Sequence, residues 1–221
     1  ATGQILGSPY YMSPEQVQGK KLDARADVFS FGTLLYLLVT GRQAFEGSNP
    51  HAVLRRICDG EIDPPGRIAP QAGQAMADII YCCLAKDRDR RPESLEPVVE
   101  ALDAFLAVGG VEEPVAEVQR FLDDPARYRK EHAPRTIVSL MNAADDMQRR
   151  GDSVGAMDVY NRVLAMDAEH PAALDRVQNV TASRSRRRLF TRLGVLLAAV
   201  AVIVAAVLAG PRLLARNAGR T

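Results

Sequence analysis

Tryptophan is missing from the 221 residues, and cysteine is scarce: Cys58, Cys82 and Cys83 are all there is. Their spacing fits no metal-ligand pattern, and a bridge between the adjacent Cys82 and Cys83 would be severely strained. The three read as reduced thiols acting as small buried hydrophobes, as in a cytosolic domain. Charge of one sign is also lacking. The net charge of +1 averages unlike regions and singles out no class of partner. The alternating pattern of a half-buried strand does not occur before the pair Gly109-Gly110. Disorder over the whole length is excluded by 47% hydrophobic and 25% charged residues, which is ordinary globular composition.

Two local absences matter more. Arg184, Arg186, Arg187, Arg188 and Arg192 fall within nine residues that contain no acid. From Leu193 to Pro211 no residue is charged and almost none is polar. As a helix that run would reach about 28 Å, close to the hydrocarbon thickness of a bilayer. A C-terminal position rules out a secretory signal. Arginine on both flanks disfavours a buried core helix, so the run is expected to be a membrane span. Five arginines precede it, and Arg212, Arg216 and Arg220 follow it. The excess puts the N-terminal side in the cytoplasm of a single-pass protein at the cell membrane. Anionic lipid is the expected contact of Arg184, Arg186, Arg187 and Arg188, and nucleic acid is not an expected partner.

What is present before that run is mostly helical. Ser13-Pro14-Glu15-Gln16 has the chemistry of a helix start, with Ser13 as cap, Pro14 in the first turn and Gln16 closing a capping box. The stretch from Asp27 to Thr40 is apolar on nearly every face and predicts a central buried helix that Gly41 ends. Shorter helices are predicted over 50–60, over Gln74–Ala85 and from Pro92 and Ser94 towards Leu106. Residues 111–135 are polar and carry Pro114, Pro125 and Pro134. They read as a partly ordered connector with a short helix at Val115–Leu122.

Several separated motifs, in order and spacing, make residues 1–108 resemble the C-terminal lobe of a protein kinase from the activation segment onward. Gly7-Ser8-Pro9-Tyr10-Tyr11-Met12-Ser13-Pro14-Glu15-Gln16 resembles the end of that segment, with Ser13-Pro14-Glu15 at the family's Ala-Pro-Glu position. The resemblance implies that Glu15 pairs with Arg91 of Arg91-Pro92, and that Asp27 is buried at the start of the central helix. It implies that Gly7, Ser8 and Pro9 form the platform receiving a protein substrate. It also places Thr2 where many kinases carry an activation-loop phosphoacceptor. The hydroxyl at Ser8 is similar to the serine/threonine class. A Gly-rich phosphate loop, a Val-Ala-Ile-Lys lysine, a His-Arg-Asp aspartate and an Asp-Phe-Gly metal ligand do not occur in the sequence. No catalytic or metal-binding residue is therefore expected here. ATP and Mg2+ are expected of an intact protein, and this chain alone should bind neither. Ala1 in place of Met fits a piece of a longer protein.

Residues 136–180 return to helical periodicity. Leu140, Ala144, Met147, Gly151, Ala156, Tyr160, Leu164 and Asp167 resemble one tetratricopeptide-like helix pair. Two readings stay open: a degenerate repeat packing on the lobe or on a partner protein, or a plain helical hairpin used as a spacer.

The expected fold is thus mainly α. It comprises a kinase-lobe portion (1–108), a linker (109–135), a tetratricopeptide-like hairpin (136–180), a basic juxtamembrane strip (181–192), a single transmembrane helix (193–211) and a tail (212–221). The expected function is part of a membrane-anchored, bacterial-type serine/threonine protein kinase. The alternative is a membrane-anchored pseudokinase or scaffold.

Overall fold

The computed structural model describes residues 8–181. Their first unit extends to Leu174, and 175–181 are helical residues of a second unit that begins at Asp175. The described residues are mainly helical and contain no strand. The expected membrane helix at 193–211 lies outside the described residues, as do Thr2, Gly7 and the arginines at 184, 186, 187 and 188. That part of the expected fold class is corrected: no helix among the described residues is long and apolar enough to cross a membrane.

The lobe is built round one helix. After a 3-10 turn (Pro9–Tyr11) come α1 (Pro14–Val17) and α2 (Arg25–Thr40). Gly41 ends α2 in the left-handed region at φ 71°, a conformation glycine adopts without steric cost. Packed about α2 are α3 (Pro50–Asp59), α4 (Pro65–Ile68), α5 (Gly73–Cys83) and α6 (Glu96–Val108). Phe29, Tyr36, Phe45, Val53, Ile57 and Ile80 are almost wholly buried in the shared core. Gly32 lets α5 cross α2 closely, since a Cβ there would lie 2.6 Å from Cys83 Cβ.

Burial of α2 is incomplete. Asp27, Leu34 and Leu38 share one exposed stripe, seven and four residues apart, with Leu38 74% exposed. The cysteines also depart from expectation. All three are free, but only Cys83 is buried, while Cys82 is exposed and Cys58 half-buried. Burial pushes the Cys83 thiol up to about 12, so at neutral pH it is an unreactive packing group.

Beyond Gly110 the polar segment is largely helical: α7 (Pro114–Asp123), α8 (Pro125–Arg149) and α9 (Ser153–Met166). Pro114 and Pro125 open helices, where a missing N–H costs nothing, and Asp124 caps α8 through the Arg127 amide at 3.0 Å. Pro134 sits inside α8. Helices α8 and α9 form a hairpin about Leu140, Ala144, Ala156 and Tyr160, all fully buried. It turns at Gly151, and Asp152 caps α9. Helix α9 also packs on the 3-10 turn Pro70–Ala72 and on α5.

Candidate functional site

The site starts from a helix cap. The Ser13 amide donates to Gln16 Oε1 at 2.8 Å, and the Gln16 amide donates to Ser13 Oγ at 3.4 Å. This capping box holds α1 so that its Glu15 carboxylate points inward, with the residue only 4% exposed.

A buried carboxylate needs a cation with matching geometry, and Arg91 supplies it. Arg91 Nη1 and Nη2 donate to Glu15 Oε1 and Oε2 at 2.7 and 2.9 Å. Nε donates to the Ala85 carbonyl at 2.7 Å, Nη1 also to Arg25 at 3.0 Å, and Nη2 also to Lys86 at 3.3 Å. The five N–H donors of the guanidinium thus have five acceptors. Its plane lies over Phe29, 4.8 Å from the ring centroid. One side chain therefore joins α1, the start of α2 and the loop after α5. Burial pushes the Glu15 carboxyl up, but the hydrogen bonds and charge of Arg91 more than reverse this and hold it below its ordinary value.

That direction fixes a pH dependence. A carboxylate depressed in the folded state contributes stability that is complete above the ordinary carboxylate range and lost as pH falls through the depressed value. The urea midpoints of the wild type and Glu15→Gln should differ by a constant amount near neutral pH. The gap should narrow in acid as the wild type loses its advantage. A gap independent of pH down to the acid transition would refute this.

The segment before α1 is tied to the same frame. Ser30 Oγ on α2 donates to the Tyr11 carbonyl at 2.7 Å, and Met12 closes the 3-10 turn through Pro9 O at 3.3 Å. Outside the buried pair, Arg25 bonds Asp89 and Glu93, and Arg88 bonds Asp23. Those acids are exposed, so these bridges contribute about 0–1 kcal/mol each.

The structure brings Glu15 and Arg91 together and places Pro9 on the 3-10 turn that precedes α1. Ser8 is exposed and makes no side-chain cap bond. Gly7 and Thr2 lie outside the described residues. Asp27 stands on the first turn of α2 and is exposed, on the side of the helix opposite its buried face. Sequence reasoning missed Phe29 as the floor under Arg91 and Ser30 as the tie to Tyr11. The signal for Ser30 was present, as a hydroxyl interrupting the apolar run Val28-Phe29-Ser30-Phe31.

Residues 2–102 match the family described as protein kinase domain. Over this part of the chain the similarity is to a protein kinase domain. Serine/threonine-protein kinase pkn2 of Myxococcus xanthus is 36% identical over 104 residues, 46% of this chain and 12% of that protein. Serine/threonine-protein kinase pkn3 of the same species is 38% identical over 164 residues, 73% of this chain and 27% of that one. Tyrosine-protein kinase MasK, also from Myxococcus xanthus, is 37% identical over 107 residues, 48% and 16% respectively. The chain thus spans between 12% and 27% of the length of these relatives. These matches support a bacterial-type protein kinase. They do not support a tetratricopeptide identity for 136–180.

Proposed function

We propose that this chain is part of a serine/threonine protein kinase and supplies its substrate-side frame. The observation that carries the reading is the Glu15–Arg91 junction within the kinase-matching stretch. The junction holds α1, and the Ser30 hydrogen bond to the Tyr11 carbonyl ties the preceding segment of Ser8, Pro9 and Tyr11 to α2, where a substrate hydroxyl-bearing peptide would be received. Phosphoryl transfer is mostly positioning and charge stabilisation, so a rigid platform is itself a contribution to rate. The exposed stripe of Asp27, Leu34 and Leu38 fits the same reading, as a face for kinase segments that this sequence does not contain.

The family implies ATP and Mg2+ in an intact enzyme. The residues described do not fit that group: no cluster of His, Cys, Asp or Glu among them could hold a metal ion. No step of phosphoryl transfer is assigned to them.

The test compares this 221-residue chain with the protein extended upstream by its native sequence, using ATP, Mg2+ and peptides bearing serine, threonine or tyrosine. The chain alone should transfer no phosphate. The extended protein should phosphorylate serine and threonine peptides, and Glu15→Gln should lower its kcat/KM about tenfold or more through misplacement of the platform. An extended, folded protein that transfers nothing would overturn the reading in favour of a scaffold. Transfer to tyrosine alone would overturn the substrate class.

A further inference from the structure

Helix α5 has no cap of its own. Its N-cap is Ala72, which has no side-chain acceptor to offer the free amides of the first turn. The acceptor comes instead from 84 residues further along the chain: Asp158 Oδ1 on α9 takes the Gln74 amide hydrogen at 2.8 Å. One turn further along the same helix, Arg162 lies against the same corner. It is 6% exposed, its Nε donates to the Gln71 carbonyl at 3.3 Å, and its guanidinium sits 4.3 Å from the Phe105 ring centroid on α6. Gly73 makes room for it. A Cβ there would lie 2.5 Å from Arg162 Cδ, and the φ of 72° already favours glycine.

These contacts are unusual in kind for a spacer. A solvated helical hairpin would keep an arginine in water, whereas burying one is costly unless stacking and hydrogen bonds offset the lost hydration. Burial holds the Arg162 guanidinium below its ordinary basicity, and the Asp158 charge acts in the opposite direction. Residues 158 and 162 are four apart, so both project from one face of α9 onto one corner of the lobe. The match to pkn3, at 164 residues, is longer than the 2–102 span of the family match, so sequence beyond the kinase-matching stretch is shared with that relative.

We infer that Asp158 and Arg162 form a single latch through which helix α9 holds the first turn of α5, so that docking of the α8–α9 hairpin and order at the α5 N-terminus are one equilibrium. The surface of Gln71, Gly73, Gln74 and Phe105 is then a docking site whose occupant is this chain's own hairpin. Opening the latch would free the hairpin and uncap α5 together.

Amide hydrogen exchange on the full chain tests this. Arg162 makes no bond to the Gln74 amide, so a merely local role for Arg162 leaves that amide untouched. The latch predicts that Arg162→Met speeds Gln74 exchange about tenfold, as Asp158→Ala does, a size typical of a lost helix cap. Amides of Phe29 and Ile80 in the core should keep their wild-type rates. Arg162→Lys, which keeps the charge and the apolar stem, should give a smaller acceleration in the same direction, and it serves where the methionine variant fails to fold. Unchanged Gln74 exchange in both Arg162 variants overturns the inference. So does equal acceleration of every amide, which would mean global destabilisation in place of a latch.

Discussion

Arg91→Ala should destabilise the lobe by about 3–5 kcal/mol, the usual cost of breaking a buried ion pair from one side. The size follows from what is left behind. Glu15 would remain a buried carboxylate with no cation, and the carbonyls of Ala85, Arg25 and Lys86 would each lose a donor. Domains of this size are held by about 5–15 kcal/mol in total, so the variant stands near its unfolding transition at ordinary temperatures. Arg91→Lys should recover little, because an ammonium has three donors and cannot match two carboxylate oxygens and three carbonyls in one plane. Replacing both partners, as in Glu15→Leu with Arg91→Met, should recover most of the loss, since the uncompensated charge is then gone. Urea denaturation of the four proteins separates these cases. A loss below about 1 kcal/mol for Arg91→Ala would place the pair among ordinary surface bridges.

The same junction shows what a sequence makes legible. Both ends of the ion pair stand in short motifs, Ser13-Pro14-Glu15 and Arg91-Pro92, and the capping box can be read residue by residue. The helices of the lobe were legible because their apolar positions repeat with helical period and glycines stand at the ends, as at Gly41 and Gly60. The direction of a helix's open face was not. A helix apolar all round looks fully buried, and only the packing shows that Asp27, Leu34 and Leu38 share an exposed stripe. Prolines misled in the other direction. Pro114 and Pro125 look like connector residues in sequence but occupy first turns, where proline fits, and Pro134 is accommodated within α8. The Asp158 and Arg162 contacts had no local signal at all. Each is a charged residue at an ordinary helical position, and its partners lie 84 and 91 residues away.

Phe29→Ala should cost a similar amount, about 3–5 kcal/mol, the range for truncating a fully buried aromatic. Two contacts distinguish Phe29 from other core residues. Its ring stacks on Phe45 at a centroid distance of 5.7 Å and an interplanar angle of 12°, and it also forms the floor under the Arg91 guanidinium. Phe29→Leu keeps most of the apolar volume and loses the ring face, so its smaller loss, about 1–1.5 kcal/mol, isolates the aromatic contribution. Because Phe29 and Arg91 touch, their truncations should not add. A double-mutant cycle of Phe29→Leu with Arg91→Met should give a coupling of about 0.5–2 kcal/mol, because the unpaired Glu15 carboxylate is common to both Arg91→Met proteins and cancels. A coupling near zero would mean that the ring merely fills space beneath the guanidinium, and that the hydrogen bonds alone orient Arg91. A coupling in the expected range would make the apolar core of the lobe and the buried Glu15–Arg91 pair a single structural unit. A core substitution at position 29 would then loosen the segment that carries Ser8 and Pro9 without touching it.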